Sequence, residues 1–146
     1  SSSHTVRRLV IDRPGTIDDM RVIETPLPAL GGRDVRIAVR AFSLNFGDLL
    51  CVKGLYPTMP PYPFTPGMEV AGTVLDCGAD VTSVRPGDPV VAMTGPEFGG
   101  HATVVTVGEH QLWRKPDRLS FEEACSLPIA AITMIEVFRR ARLQPG

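Results

Sequence analysis

The run Ser43 to Val74, SLNFGDLLCVKGLYPTMPPYPFTPGMEVAGTV, limits the possible folds more than any other stretch. Prolines at 57, 60, 61, 63 and 66 fix their own φ and restrict the residue before each, so no helix or central strand can cross that interval. The residues before it predict a short helix: Asn45 is a good N-cap, Asp48 at the third helical position suits the unpaired N–H groups there, and Gly54 supplies a stop. On the far side of the prolines, Gly67 to Val74 is rich in β-formers, carries Glu69, and has glycines where another backbone or a ligand can approach closely. A helix, a stiff crossing and a strand in succession predict the floor of a cleft.

The flanks supply the walls. Thr5 to Ile11 and Met20 to Thr25 predict strands, separated by the turn Arg13-Pro14-Gly15. In Asp34 to Ala41 the apolar residues Val35, Ile37, Val39 and Ala41 alternate with mostly polar ones, the period of a strand with one buried face. Further strands are expected at Pro89–Thr94, His101–Val107 and Gln111–Arg114, with turns at 77–80 and 85–88 and a loop at 95–100. Many short strands with closely spaced turns predict a mainly β sandwich or barrel. After Pro116 the pattern changes. Ser120 with Glu123 forms a capping box, and Pro128 opens a second helix whose end carries Arg139, Arg140 and Arg142. Residues 1–4 read as a linker or a cloning scar, 5–118 as the β domain and 119–146 as a helical connector.

Composition excludes several classes. With 15 basic against 16 acidic residues the formal charge is −1, which gives no electrostatic reason to expect nucleic acid or an anionic membrane as a partner. No apolar run approaches the roughly 18 to 20 residues that span a bilayer. Cys51, Cys77 and Cys125 are too few and too dispersed for a disulfide framework or a zinc ribbon, so they predict reduced thiols and a cytoplasmic setting. Only Lys53 and Lys115 among the basic residues are lysines, which narrows the choice of a lysine proton donor.

Taken in order, NFGD, GLYP, GMEVAGTV, RPGDPVV, FGGHA and LSFEEACSLPIAAIT resemble the zinc-independent branch of the medium-chain dehydrogenase/reductase superfamily, over nearly the whole chain. That branch includes quinone oxidoreductases and the enoyl reductase domains of polyketide and fatty acid synthases. The resemblance implies a partly open GroES-like β-barrel followed by two helices leading toward a Rossmann domain. In zinc-dependent relatives a cysteine three residues before the helix aspartate and a histidine between the strand's glycine and glutamate bind the catalytic zinc. Asn45 and Met68 stand there instead, an amide and a thioether, so no zinc is expected. No Gly-x-Gly occurs in the chain, so the dinucleotide fingerprint is not within it, and NADP(H) is expected to bind mainly through residues beyond Gly146. The chain alone is expected to be inactive.

The implied chemistry is hydride transfer from a reduced nicotinamide to an activated alkene or quinone. The substrate is expected to be an enoyl thioester, carrier-protein tethered or CoA-like, in a synthase enoyl reductase; a quinone is the alternative. A non-catalytic GroES-like binding or assembly module is the alternative of another class. Tyr56 is the first candidate for a polar contact or proton donor, against a packing aromatic with a wet hydroxyl. Lys53 is the second candidate donor, against a solvated lysine at a helix C-terminus. Asn45 either caps its helix or faces the nicotinamide ribose or substrate, and Asp48 either joins it there or only caps and pairs. Glu69, on a buried strand, needs a partner or a raised pKa, and reads as a structural hydrogen bond or ion pair against a catalytic group. His101 reads as a half-exposed strand-initiating residue and Cys125 as buried. From the resemblance alone, Thr133 of the LP-x4-T pattern borders the nicotinamide, and Thr94 and Gly95 lie at the cleft rim.

Overall fold

A computed structural model describes residues 5–145, so the expected linker at 1–4 lies outside the described residues. Strands β1 (Thr5–Val10) and β2 (Arg21–Pro26) pair antiparallel as a ribbon of their own. Strands β3 (Asp34–Phe42), β4 (Glu69–Cys77), β5 (Pro89–Met93), β6 (Val104–Gly108) and β7 (Leu112–Arg114) form one antiparallel sheet in the order β6-β3-β4-β5-β7. Helix α1 (Phe46–Lys53) joins β3 to β4, and α2 (Phe121–Ala124) and α3 (Leu127–Arg140) end the described chain.

The sheet order forces a curl. β6 and β7 occupy opposite edges, yet only residues 109–111 separate them. So short a connection spans roughly 14 Å even when extended. The edges therefore approach each other without forming a ladder, and side chains of the connection tie it to the 82–83 loop and to β5. Glu109 Oε1 accepts from the backbone N–H groups of Thr82 and Ser83, both at 2.8 Å, and Gln111 Nε2 donates to Met93 O at 3.2 Å. The result is the partly open barrel that the resemblance implies. Its interior is filled by Val35, Ile37, Val70, Val74, Val84, Val90, Ala92, Val105, Val107 and Leu112. Gly72 permits this packing, since a Cβ there would lie 2.1 Å from the Ala38 carbonyl oxygen.

One face assignment is corrected. The alternation through 35, 37, 39 and 41 predicts four residues on one buried face, but the register slips between Val39 and Ala41, and Arg40 has no partner on β4. A bulge shifts all later side chains to the opposite face. Ala41 consequently leaves the barrel interior and packs outside with Ala71, Val91, Ala124 and Cys125, against α2.

The proline-rich crossing is fixed in its second half. Ile11 and Phe64 exchange backbone hydrogen bonds, and the Tyr62 hydroxyl donates to Cys51 O at 3.1 Å. Ile11, Cys51, Val52, Phe64 and Phe98 form a second core here, with Tyr56 and Met68 packed on it. His101 departs from expectation. β6 begins only at Val104, and His101 is buried. The backbone of 99–101 bonds to Thr65, Pro66 and Gly67 rather than to β3, which draws the ring inward.

The capping box at α2 forms as predicted, with Ser120 Oγ accepting from Glu123 N at 3.0 Å and the Glu123 carboxylate accepting from Ser120 N at 2.9 Å. Pro128 is the second residue of α3 and its one buried residue. In the last turn Arg139 and Arg140 both pair with Glu136. Ile132, Met134, Ile135, Val137 and Phe138 stand exposed.

Candidate functional site

The site begins at the start of α1. Asp48 is buried, and its two oxygens accept from Asn45 N at 2.8 Å and from Gly67 N at 3.1 Å. Both oxygens face backbone, so Asp48 is not a ligand-facing carboxylate; it clamps the helix start to the glycine before β4. Gly67 has φ of 112°, and a Cβ on it would lie 2.4 Å from His101 N. The close approach that the sequence suggested at this glycine is therefore made by backbone. His101 Nε2 lies 3.9 Å from Asp48 Oδ2 and 3.4 Å from Ser43 O. Burial pushes the imidazole pKa down, opposed by the Asp48 charge and the Ser43 carbonyl.

Glu69 is the centre of the polar network. It is 1% exposed, and no cation pairs with it among the described residues. Its charge is satisfied by hydrogen bonds instead. Oε1 accepts from Ser43 Oγ at 2.5 Å and from Asn45 Nδ2 at 3.2 Å, while Oε2 accepts from Ile129 N at 2.9 Å. Ile129 is the third residue of α3, where backbone N–H groups lack intrahelical acceptors and the helix dipole favours an anion. The partner that a buried glutamate required is thus a helix N-terminus and two side chains. The sequence signalled the need but not the identity of Ser43 or Ile129.

Around this network opens a cavity of about 390 Å³ lined by Ser43, Leu44, Asn45, Glu69, Ile129 and Thr133, among others. The structure thus brings Asn45 and Thr133 together. Asn45 occupies the N-cap position without a side-chain capping bond; its amide nitrogen serves Ser43 and Glu69. Ile129 also lines a neighbouring cavity of about 340 Å³ with Tyr56, Thr58, Met68, Met93, Gly95 and Phe98. There the Tyr56 ring meets Phe98 edge-on at 5.7 Å, and its hydroxyl has no hydrogen-bond partner among the described residues. Gly47 makes room beneath it, since a Cβ there would lie 2.4 Å from Met68 Cε and 3.1 Å from Tyr56 Cε2. Met68, Met93 and Phe98 give this second cavity an apolar wall.

Besides Asp48, two expected site residues fall outside. Lys53 is exposed in the last turn of α1 and lines neither cavity. Thr94 is buried, and its hydroxyl donates to Gly67 O at 2.7 Å, so it braces the β4 entrance rather than the rim. A larger cavity, about 580 Å³, lies between β1 and β3 and includes Arg7, Arg8, Arg40 and Glu122. It contains none of Asn45, Tyr56 or Thr133, and size is outweighed here by the polar network that converges on the smaller space. Cys125 is buried, and its thiol pKa is raised by burial first and by the Glu69 charge second, which leaves it a poor nucleophile. Among the described residues no three His, Cys, Asp or Glu side chains converge as a metal site.

Residues 31–117 match the alcohol dehydrogenase GroES-like domain family. Among curated proteins, rat quinone oxidoreductase-like protein 2 is 39% identical over 137 residues, covering 93% of this chain and 37% of that protein. The rat synaptic vesicle membrane protein VAT-1 homolog is 38% identical over 144 residues, covering 97% of this chain and 35% of that protein. The chain therefore spans about a third of the length of these relatives. Among solved structures, the human synaptic vesicle membrane protein VAT-1 homolog-like protein superposes with a TM-score of 0.90 at 30% identity, over 99% of this chain and 46% of that one. The Coxiella burnetii quinone oxidoreductase gives 0.86 at 25% identity, over 97% and 47%. The CurK enoyl reductase gives 0.85 at 27% identity, over 97% and 45%.

Proposed function

The chain belongs to the alcohol dehydrogenase GroES-like family, as a zinc-independent member of the medium-chain dehydrogenase/reductase superfamily, and we propose that it forms the substrate side of an NADPH-dependent quinone reductase. The observation that carries the reading is the pair of adjoining cavities that share Ile129, one bordered by the Asn45–Glu69 hydrogen-bond network and the other by the Tyr56 phenol. The first, with Asn45 on its barrel side and Thr133 on its helix side, suits a nicotinamide and its ribose, which offer hydroxyl and amide groups. The second, lined by Tyr56, Met68, Met93 and Phe98, suits a flat conjugated acceptor. A cofactor domain of the same protein, seated on the bare face of α3, completes the site in this proposal.

When bound, the reduced nicotinamide supplies the hydride. The chain's own residues orient and stabilise. The wall of Met68, Met93 and Phe98 holds the acceptor ring and keeps water from it. Tyr56, whose hydroxyl is free, donates a hydrogen bond to the acceptor oxygen as negative charge develops there. With the position of the zinc-binding histidine occupied by Met68, that phenol is the donor at hand. An enoyl thioester, carrier-tethered or CoA-like, is the second reading. It is supported by the likeness to the CurK enoyl reductase, and Tyr56 would serve its carbonyl oxygen in the same way.

The test is NADPH consumption by the full-length protein with a small quinone and with crotonyl thioester, side by side. Faster turnover of the quinone is expected. The reverse order would move the assignment to an enoyl reductase, and consumption with neither would leave a binding module. Tyr56→Phe is expected to lower kcat about a hundredfold or more, within the range for a positioned proton donor. Unchanged turnover would remove Tyr56 from this role.

A further inference from the structure

We infer that Glu69 is a positioning residue that sets both walls of the Asn45–Thr133 cavity and restricts the Asn45 side chain to accepting hydrogen bonds there. The inference rests on the reductase reading only where it names the ligand. An amide nitrogen has two protons, and Asn45 Nδ2 already reaches Ser43 Oγ at 3.0 Å and Glu69 Oε1 at 3.2 Å. Both protons are spent. What the side chain has left is its carbonyl oxygen, which can only accept. The groups that satisfy an acceptor are the ribose hydroxyls and the carboxamide N–H of a nicotinamide. A quinone or thioester oxygen is itself an acceptor and gains nothing from it. The sequence left Asn45 open between cofactor and substrate; the hydrogen-bond arithmetic directs it to the cofactor.

The same carboxylate fixes the opposite wall. Its second oxygen holds Ile129 N at 2.9 Å, and Thr133 stands one turn later on the same helix face. Glu69 thus sets the separation between Asn45 and Thr133, and it does so from a buried strand position that itself touches the cavity. No other carboxylate borders this cavity.

Glutamine at position 69 makes the cleanest test, because its oxygen can still accept from Ile129 N while its amide now donates. Facing a donor, Asn45 must turn over, accept from the new amide and present its own N–H groups to the cavity. Glu69→Gln in the full-length protein is therefore expected to unfold near the wild-type temperature, yet to bind NADPH about tenfold more weakly by fluorescence titration, the scale of one hydrogen bond. The KM for quinone is not expected to rise. Asn45→Asp alone sets two carboxylates against each other and is expected to weaken NADPH further. The double variant Asn45→Asp with Glu69→Gln restores donor against acceptor and is expected to regain most of the affinity. Wild-type NADPH affinity in Glu69→Gln, or no recovery in the double variant, would overturn the inference. A readout without cofactor separates it from the reductase reading. The Asn45 side-chain amide protons are expected to be protected from solvent exchange in the wild type and exposed in Glu69→Gln. If the wild type binds no NADPH, the reductase reading fails, and equal exchange in the two proteins would then overturn the positioning role by itself.

Discussion

Asn45 and Glu69 stand on the barrel side of one cavity and Thr133 on its helix side, and the two sides differ in what secures them. On the barrel side a connected set of hydrogen bonds holds the polar groups: Asp48 clamps Asn45 and Gly67, Thr94 clamps Gly67, and Glu69 gathers Ser43, Asn45 and Ile129. On the helix side, Ile135 is 65% exposed and Phe138 47%, and only Pro128 of α3 is buried. The barrel side is thus secured from within, while the helix side of the cavity is tied to it by the Ile129–Glu69 hydrogen bond and leaves its apolar face bare. Substitutions on the two sides should separate accordingly.

The largest effect is expected at Gly67. Alanine there would have to adopt a φ of 112°, with its Cβ 2.4 Å from His101 N and 2.7 Å from Gly100 Cα. Both obstacles are backbone, so they cannot rotate away. Gly67→Ala is expected to cost about 3 kcal/mol or more, combining a disfavoured dihedral with overpacking, measured as a fall in the urea midpoint. A near-wild-type midpoint would show that the barrel wall yields more than its contacts suggest. Next comes Asp48→Ala, which leaves the Gly67 and Asn45 N–H groups without an acceptor. A loss of about 2 kcal/mol is expected for stranded buried donors, and a loss under about 0.5 kcal/mol would mean that water replaces the carboxylate.

Much of the barrel side was legible in the sequence because its signals are local. Asn45 followed by Asp48 marks a helix start, Ser120 with Glu123 a capping box, and the turn residues between short strands a barrel. What sequence could not show is long-range. The alternation at 35–41 runs through Arg40 without a break, and only the pairing with β4 shows that Arg40 is extra and that Ala41 has changed faces. His101 comes after two glycines and looks like a strand start. Its burial comes from backbone bonds to residues 65–67, more than thirty positions earlier. Glu69 demanded a partner, but nothing near it in sequence identifies Ile129, sixty residues on. Asn45 and Thr133 line one cavity for that reason, whereas Lys53, the second candidate donor by helix position, is exposed.

A smaller, pH-dependent effect tests the barrel side through His101. Its pKa is lowered in the fold, chiefly by burial and despite Asp48, so the unfolded chain takes up a proton more readily. The stability it contributes is complete above its ordinary value of 6.5 and is lost as pH falls below that toward the depressed folded value. His101→Gln is expected to flatten this part of the stability profile. Glu109 acts at a different pH. Hydrogen bonds from Thr82 and Ser83 hold its carboxyl at about 2, so its contribution persists above 4.5 and fades between 4.5 and about 2. Glu109→Gln is expected to flatten only that lower window. A slope below 6.5 that His101→Gln leaves intact would place the titrating group elsewhere.

The smallest effect is expected on the helix side. Ile135→Glu replaces an exposed apolar residue with an exposed charge, so residues 1–146 alone are expected to change in stability by no more than about 0.5 kcal/mol. In a longer protein that carries the proposed cofactor domain, the same residue would be covered, and a buried unpaired carboxylate there is expected to cost about 2 kcal/mol or more. Comparing the substitution in the two lengths of chain measures what the helix side lacks by itself. Equal and negligible costs would show that nothing covers Ile135 and that α3 is held by Glu69 alone. A large cost already in residues 1–146 would break the contrast from the other direction, because α3 would then be packed as firmly as the barrel wall opposite it.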